Sequence, residues 1–385
     1  MHRIIPELII ENCRAGRYGG SFRAVSMLLD LSGFSLMTDA LMGQGREGAE
    51  VLAVTMRAVF DPLVTAIFAQ GGEIIGYAGD SIGAVFAAGK DDTLAARRAA
   101  ASAFAIQQAR AAKPGFDTPY GEFRIAVKIG LAIGSVSWGI LHSRKRDRGI
   151  YYFRGPAIEE AARAEQQAGA NEIIVTPELR DRLLDNIESK PRAGFHMLTR
   201  ISRELPAARP ISLPQVNPSI GALFVPPEII TQDLPGEFRQ TVALFLRIPN
   251  LTDRELQQFA HALFELQARY GGLNEPIEFG DKGGNMVIAW GAPTSHENDI
   301  DRALNFLLDL RAGLGFPMTA GVTYYTSYAG YIGGSLCETY AAYGWGTSMA
   351  ARLSMAAPEN EIWVDDRVFH RARQRFRIEP VGEQT

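Results

Sequence analysis

The stretch MLLDLSGFS, Met27 to Ser35, poses the question that decides the fold. Met27, Leu28, Leu29 and Leu31 would make an ordinary buried strand, yet Asp30 stands among them, where a carboxylate has to give up water. A second stretch, GGEIIGYAGDSIGAVFA (71–87), has two apolar arms that meet at Gly79 and Asp80 and reads as a β-hairpin. Whether the two aspartates meet depends on how strand and hairpin share a sheet.

Internal repetition supplies the frame. The segment GPAIEEAARAEQQAGANEIIVTPEL (155–179) and the segment GWGTSMAARLSMAAPENEIWVDDRV (344–368) agree without gaps. Each has a small-residue helix with AAR, a polar turn, and NEI leading a short strand. Upstream of each runs the same order: an apolar strand (25–31, 241–248), a helix (46–70, 253–270), a Gly-rich hairpin (71–87, 277–291), a helix (92–112, 297–313) and a strand (123–134, 317–326). The chain therefore reads as two diverged copies, 1–200 and 241–385. Between them, 201–240 carries Pro206, Pro210, Pro214, Pro218, Pro226, Pro227 and Pro235, which oppose continuous helix or sheet and mark a linker.

Strand, helix, hairpin, helix, strand is the split β-α-β order of an α+β, ferredoxin-like (βαββαβ) sheet. In that topology the third strand lies between the first and second, antiparallel to both, so the end of strand one meets the start of strand three. Asp30 and Asp80 are then neighbours. Two carboxylates that close repel unless cations neutralise them, and such pairs suit magnesium or manganese. Metal ions are thus the expected compensation for Asp30. Gly33 in LSGFS allows a tight turn into a helix whose first amides can cradle phosphate. The competing reading is a helix merely capped by Ser32 or Ser35.

Composition narrows the classes. With 385 residues, 46% hydrophobic and 21% charged, the chain is long enough for two cores. A formal charge of −4, from 39 basic and 43 acidic residues, offers no overall grip on nucleic acid. The basic run HSRKRDRG (142–149) reads as a solvated hairpin tip, and the six histidines show no metal-ligand spacing. Cys13 and Cys337 lack a metal-ligand pattern and fit a reducing compartment. MHRIIPELII is broken by Pro6, and no uninterrupted apolar stretch approaches the roughly 20 residues of a membrane span. The chain reads as cytoplasmic, without a membrane span.

LLDLSGFS and GGEIIGYAGDSIGAVF, with the helix between them, resemble the catalytic halves of class III adenylyl and guanylyl cyclases. The tandem is most similar to the soluble, bicarbonate-regulated adenylyl cyclase type and its bacterial relatives. GGEII also has a superficial likeness to the GGDEF loop of diguanylate cyclases, but lacks the acidic pair after the glycines. The cyclase resemblance implies two cyclase domains packed head to tail as a pseudo-twofold, intramolecular pseudo-heterodimer. It implies one complete site: Asp30, Asp80 and the Leu31 carbonyl on two Mg2+ (or Mn2+), and Gly33, Phe34 and Ser35 under the phosphates. Lys282 of FGDKGGN, with Asp281, would read the purine, and Arg352 would stabilise charge on the reacting phosphate. Where the first copy has Asp30 the second has Arg247, and Asp80 falls opposite Gly283, so the second copy holds no metals.

The implied reaction is attack of the ribose 3′-hydroxyl of ATP on its α-phosphate, giving 3′,5′-cyclic AMP and pyrophosphate. The sequence departs from the family pattern at two places. Ser348 stands where the family has asparagine, and Ala341 stands where it has the threonine or aspartate that partners the purine lysine. In the matching pseudo-site, Gly76 and Ala162 replace the bicarbonate-binding lysine and arginine, although Arg163 is adjacent. A second reading therefore stands beside the enzyme: a weakened nucleotide-binding module that regulates attached or partner domains, such as the ATPase domains that follow the tandem in relatives.

Overall fold

The computed structural model describes residues 5–211, 218–232, 234–280 and 283–382. These fall into two compact units. The first takes the chain through Glu237, the segment beginning at Pro276 and Gly330–Tyr340; the second takes Phe238–Glu275, Gly283–Ala329 and the chain from Ala341.

The first unit runs α1 (Glu7–Arg14), β1 (Gly19–Ser32), α2 (Phe34–Met42), α3 (Gly45–Ala69), β2 (Glu73–Ala78), β3 (Ser81–Ala87), α4 (Asp92–Ala112), β4 (Gly115–Thr118), β5 (Gly121–Arg124), β6 (Ala126–His142) and β7 (Gly149–Arg154). It continues with α5 (Pro156–Gln166), β8 (Ile173–Val175), α6 (Pro177–Asp181), β9 (Ile187–Arg192), β10 (Phe195–Ile201), α7 (Pro218–Phe224) and α8 (Pro227–Thr231). Residues 202–211, in the Pro-rich stretch, form neither helix nor strand. The sheet order is β7-β6-β1-β3-β2, so β3 does lie between β1 and β2, antiparallel to both. The register sets Leu29 opposite Ile82 on one side of β1 and Asp30 opposite Lys128 on the other.

Helices cover this sheet because their apolar positions recur at helical spacing. On α3 the stripe is Leu52, Met56, Val59, Phe60, Leu63, Val64 and Ile67, all buried. Among the described residues α3 is the one helix long and apolar enough to cross a membrane by length and composition, although Glu50, Arg57 and Asp61 interrupt its apolar run. Its apolar face lies in the core. On α4 the buried positions are largely alanines, Ala95, Ala96, Ala99, Ala100 and Ala103, which let the helix sit close. Asp91 caps it, accepting from the amides of Thr93 and Leu94.

The second unit repeats the plan with β11 (Glu237–Ile248), α9 (Asp253–Tyr270), β12 (Leu273–Asn274), β13 (Ile277–Gly280), β14 (Gly283–Trp290), α10 (Asp299–Gly313), β15 (Thr319–Gly334), β16 (Cys337–Tyr343), α11 (Trp345–Ala356), β17 (Ile362–Val364) and α12 (Asp366–Ala372). Its strand order is β16-β15-β11-β14. β13 belongs by its contacts to the first unit, where it pairs in parallel with β7. The segment 330–340 does likewise: the Tyr77 hydroxyl donates to the Cys337 carbonyl at 2.7 Å, and Asp61 accepts from the amide and hydroxyl of Ser335.

The AAR helices explain their own composition. A Cβ on Gly130 of β6 would stand 2.1 Å from the Ala161 carbonyl oxygen and 2.3 Å from the Glu165 amide nitrogen of α5. In the second copy a Cβ on Gly321 of β15 would stand 2.0 Å from the Ala350 carbonyl oxygen of α11. In both, helix backbone rests directly on strand backbone. Gly130→Ala is therefore expected to cost about 2 kcal/mol in urea unfolding. Gly76→Ala, where an added Cβ meets nothing within 4 Å, is the matched control expected to be near neutral.

Candidate functional site

Asp30 lies near the end of β1, and Asp80 in the turn between β2 and β3, where the Ser81 hydroxyl donates to Asp30 Oδ1 at 3.0 Å. The two carboxylates stand within electrostatic reach. Burial, and next the Asp30 charge, push Asp80 up to about 6. Asp30 itself keeps 30% of its side-chain surface in water, so it is less withdrawn than its apolar neighbours imply.

Sequence reasoning missed two members of this cluster. Lys128 of β6 faces Asp30 across the sheet, with Nζ 3.5 Å from Asp30 Oδ2. The same ammonium stands 3.8 Å from Glu165 Oε1 on α5. Burial, followed by the Asp30 charge, raises Glu165, and Lys128 opposes the rise. Asp30 thus has partners other than metal: a lysine and a hydroxyl already compensate it. The available signal was the strand 123–134 itself, since Lys128 falls opposite Asp30 once that strand is laid beside the first.

Past Asp30 the chain turns as expected. Gly33 has φ 92°, and a Cβ there would come within 2.3 Å of the Arg124 carbonyl oxygen. It is itself the N-cap of α2, and no side chain caps that helix, so neither Ser32 nor Ser35 takes the capping role. Leu31 and Phe34 have buried side chains, with the Phe34 ring packed edge-on against Phe60 at 5.6 Å. Only their main-chain groups are candidates for a ligand; Ser35 is exposed.

Of the remaining expected residues, Asp281 and Lys282 lie outside the described residues. Ala341 is buried in β16. Ser348 and Arg352 fall one turn apart on the exposed face of α11, which also carries Trp345 and Met355. Among the described residues Arg352 makes no ion pair. Arg247, the counterpart of Asp30, donates to the Ser354 carbonyl at 2.7 Å, and Gly283 at the Asp80 position has φ 111°. In the first unit, Gly76 has no neighbour for a side chain to meet, and Arg163 pairs with Glu160 on the surface at 3.0 Å.

Among the described residues no group of three or more His, Cys, Asp or Glu is placed to hold a metal ion by itself. The pair nonetheless fits Mg2+, which is commonly held by one or two carboxylates together with substrate phosphates and water. Burial and, next, the Asp30 charge make the Asp80 carboxylate costly to ionise, a cost that a cation would relieve.

Over 91% of its length the structure matches that of a class III adenylyl cyclase-like ATP-binding protein from Pseudomonas aeruginosa, with a TM-score of 0.63, 85% of that chain covered and 13% identity. The fold is that of the class III cyclases. In sequence, the chain is 28% identical over 180 residues to adenylate cyclase type 10 of Mus musculus and 27% identical over the same length to that of Homo sapiens. These matches take in 44% of this chain but only 10% and 11% of the two relatives. No family model matches.

The pair makes a pH-dependent signature in chelator-treated protein. Asp80 ionises near its ordinary 3.8 when unfolded and near about 6 when folded, so between these values the native state holds the extra proton. Its contribution favours folding fully below about pH 4 and is lost as pH rises through about 6. Asp80→Asn should remove this slope and exceed the wild type at pH 7.5 by on the order of 2 kcal/mol. Parallel stability curves for the two proteins between pH 4 and 7.5 would show that the fold does not raise Asp80.

Proposed function

We propose that this chain binds ATP and converts it to 3′,5′-cyclic AMP and pyrophosphate. The observation that carries the reading is the meeting of Asp30 and Asp80 beside a glycine turn whose helix start is uncapped. Two carboxylates and the Leu31 carbonyl would hold two Mg2+ or Mn2+. The metals, when bound, supply a lowered pKa for the ribose 3′-hydroxyl and neutralisation of the triphosphate. The main chain at Gly33, Phe34 and Ser35, at the start of α2, would be the part turned to the phosphate oxygens, as at other helix N-termini.

The other functional groups come from the second copy. Arg352 would place a guanidinium where charge develops on the α-phosphate, and Ser348 would orient the ribose through a hydroxyl shorter than the asparagine it replaces. Lys282 would donate to the N1 acceptor of adenine; guanine carries a donor there, which favours ATP. With Ala341 unable to make the second base contact, discrimination against GTP should be modest.

A second reading has specific support: ATP binding without turnover. The Pseudomonas protein whose fold covers 91% of this chain is described as cyclase-like and ATP-binding. Ser348 and Ala341 lean the same way. Two free cysteines, Cys13 and Cys337, suit the cytoplasmic placement that either reading carries.

Incubation with ATP and Mn2+, with cyclic AMP and pyrophosphate quantified, separates the two. Asp30→Asn or Asp80→Asn should lower turnover at least about 100-fold, and Arg352→Ala by about 100- to 1,000-fold. Ser348→Asn should raise it. Saturable binding of a fluorescent ATP analogue with no cyclic product from any variant would establish the binding module instead. Bicarbonate, compared with chloride at fixed pH and ionic strength, should leave turnover unchanged, because Gly76 and Ala162 offer no cation to a buried anion.

A further inference from the structure

We propose that Lys128 is a resident counter-ion of the carboxylate pair, which must release Asp30 before a divalent cation can be held there, so that this lysine sets the protein's metal affinity. The inference rests on the reading of Asp30 and Asp80 as metal ligands.

Both oxygens of Asp30 are engaged. Oδ1 accepts from Ser81 at 3.0 Å, and Oδ2 faces the Lys128 ammonium at 3.5 Å. A dication entering beside that ammonium meets like charge and finds the carboxylate already neutralised. Lys128 and Asp30 are held in register by the β1–β6 ladder, so the encounter is built into the sheet. The lysine also has somewhere to go. Glu165, buried on α5, lies 3.8 Å from the same nitrogen, so the flexible four-carbon stem can lean from one carboxylate toward the other.

The second copy shows the alternative solution. There the cation is fixed in place of the aspartate itself: Arg247 stands at the Asp30 position and donates to the Ser354 carbonyl, and Ser354 occupies the register of Glu165. With no carboxylate to liberate, no exchange is available. Only the first copy pairs an acid with a removable cation.

The test uses Mn2+ alone, without nucleotide, titrated into the full chain at pH 7.5 and followed by the electron paramagnetic resonance of free Mn2+. Lys128→Met should bind Mn2+ about tenfold more tightly than the wild type, since an opposite charge at this range is worth about one decade or more in a carboxylate's affinity for its cation. Lys128→Arg should restore wild-type affinity, and Lys128→Gln serves if the Met variant fails to fold. Asp30→Asn should abolish binding in every background. Equal or weaker affinity in both Lys128→Met and Lys128→Gln, with Asp30→Asn still abolishing it, overturns the counter-ion role and leaves the metal site standing. Mn2+ binding that survives Asp30→Asn, or no binding to any variant at millimolar Mn2+, overturns the metal reading and this inference with it.

Discussion

The close seating of α5 on β6 is the constraint on which the candidate site depends. A helix ordinarily rides on a sheet at a distance set by two layers of side chains. At Gly130 one layer is missing, and the Ala161 carbonyl and Glu165 amide lie where a Cβ would be. That approach brings Glu165 within 3.8 Å of the Lys128 ammonium, on the strand that pairs with β1. The same device recurs at Gly321 under Ala350 and Ser354. One architectural feature, kept in both copies, thus places unlike residues at equivalent positions.

Charge then separates the copies. In the first, two acids at the β1–β3 junction and a third on α5 stand near one lysine, and burial, followed by the Asp30 charge, raises both Asp80 and Glu165. In the second, an arginine replaces the strand acid and is satisfied by a helix carbonyl, which needs no further cation. On α11 of the second copy, Ser348 and Arg352 lie one turn apart on the exposed face, and Arg352 makes no ion pair among the described residues.

The segment 330–340 behaves as part of the first unit even though it is the end of one second-copy strand and the start of the next. Its attachment is through specific polar contacts: the Tyr77 hydroxyl on the Cys337 carbonyl, and the Asp61 carboxylate on the Ser335 amide and hydroxyl. Two of these three bonds use backbone groups of the docked segment, and the third uses the Ser335 side chain. None of the hydrophobic patterning that marks the repeat foretells them.

The periodicities of apolar residues, the hairpin turn at Gly79 and Asp80, and the gap-free repeat around AAR were enough to set out the strand order around β1 and the approach of Asp30 to Asp80. Those features are local or repeated, and local pattern is what a chain writes directly. Strand lengths were underread, β1 and β6 extending well beyond 25–31 and 123–134, because pairing with neighbours on both sides continues a strand past its apolar core. Lys128 and Glu165 were missed for a related reason: one is an ordinary polar residue on a strand, the other on a helix, and the β1–β6 register and the contact at Gly130 bring them to Asp30. Sequence alone determined that the carboxylates would be paired. Tertiary structure decided what compensates them, because an ion pair between distant segments depends on a register and a packing distance that no single segment encodes.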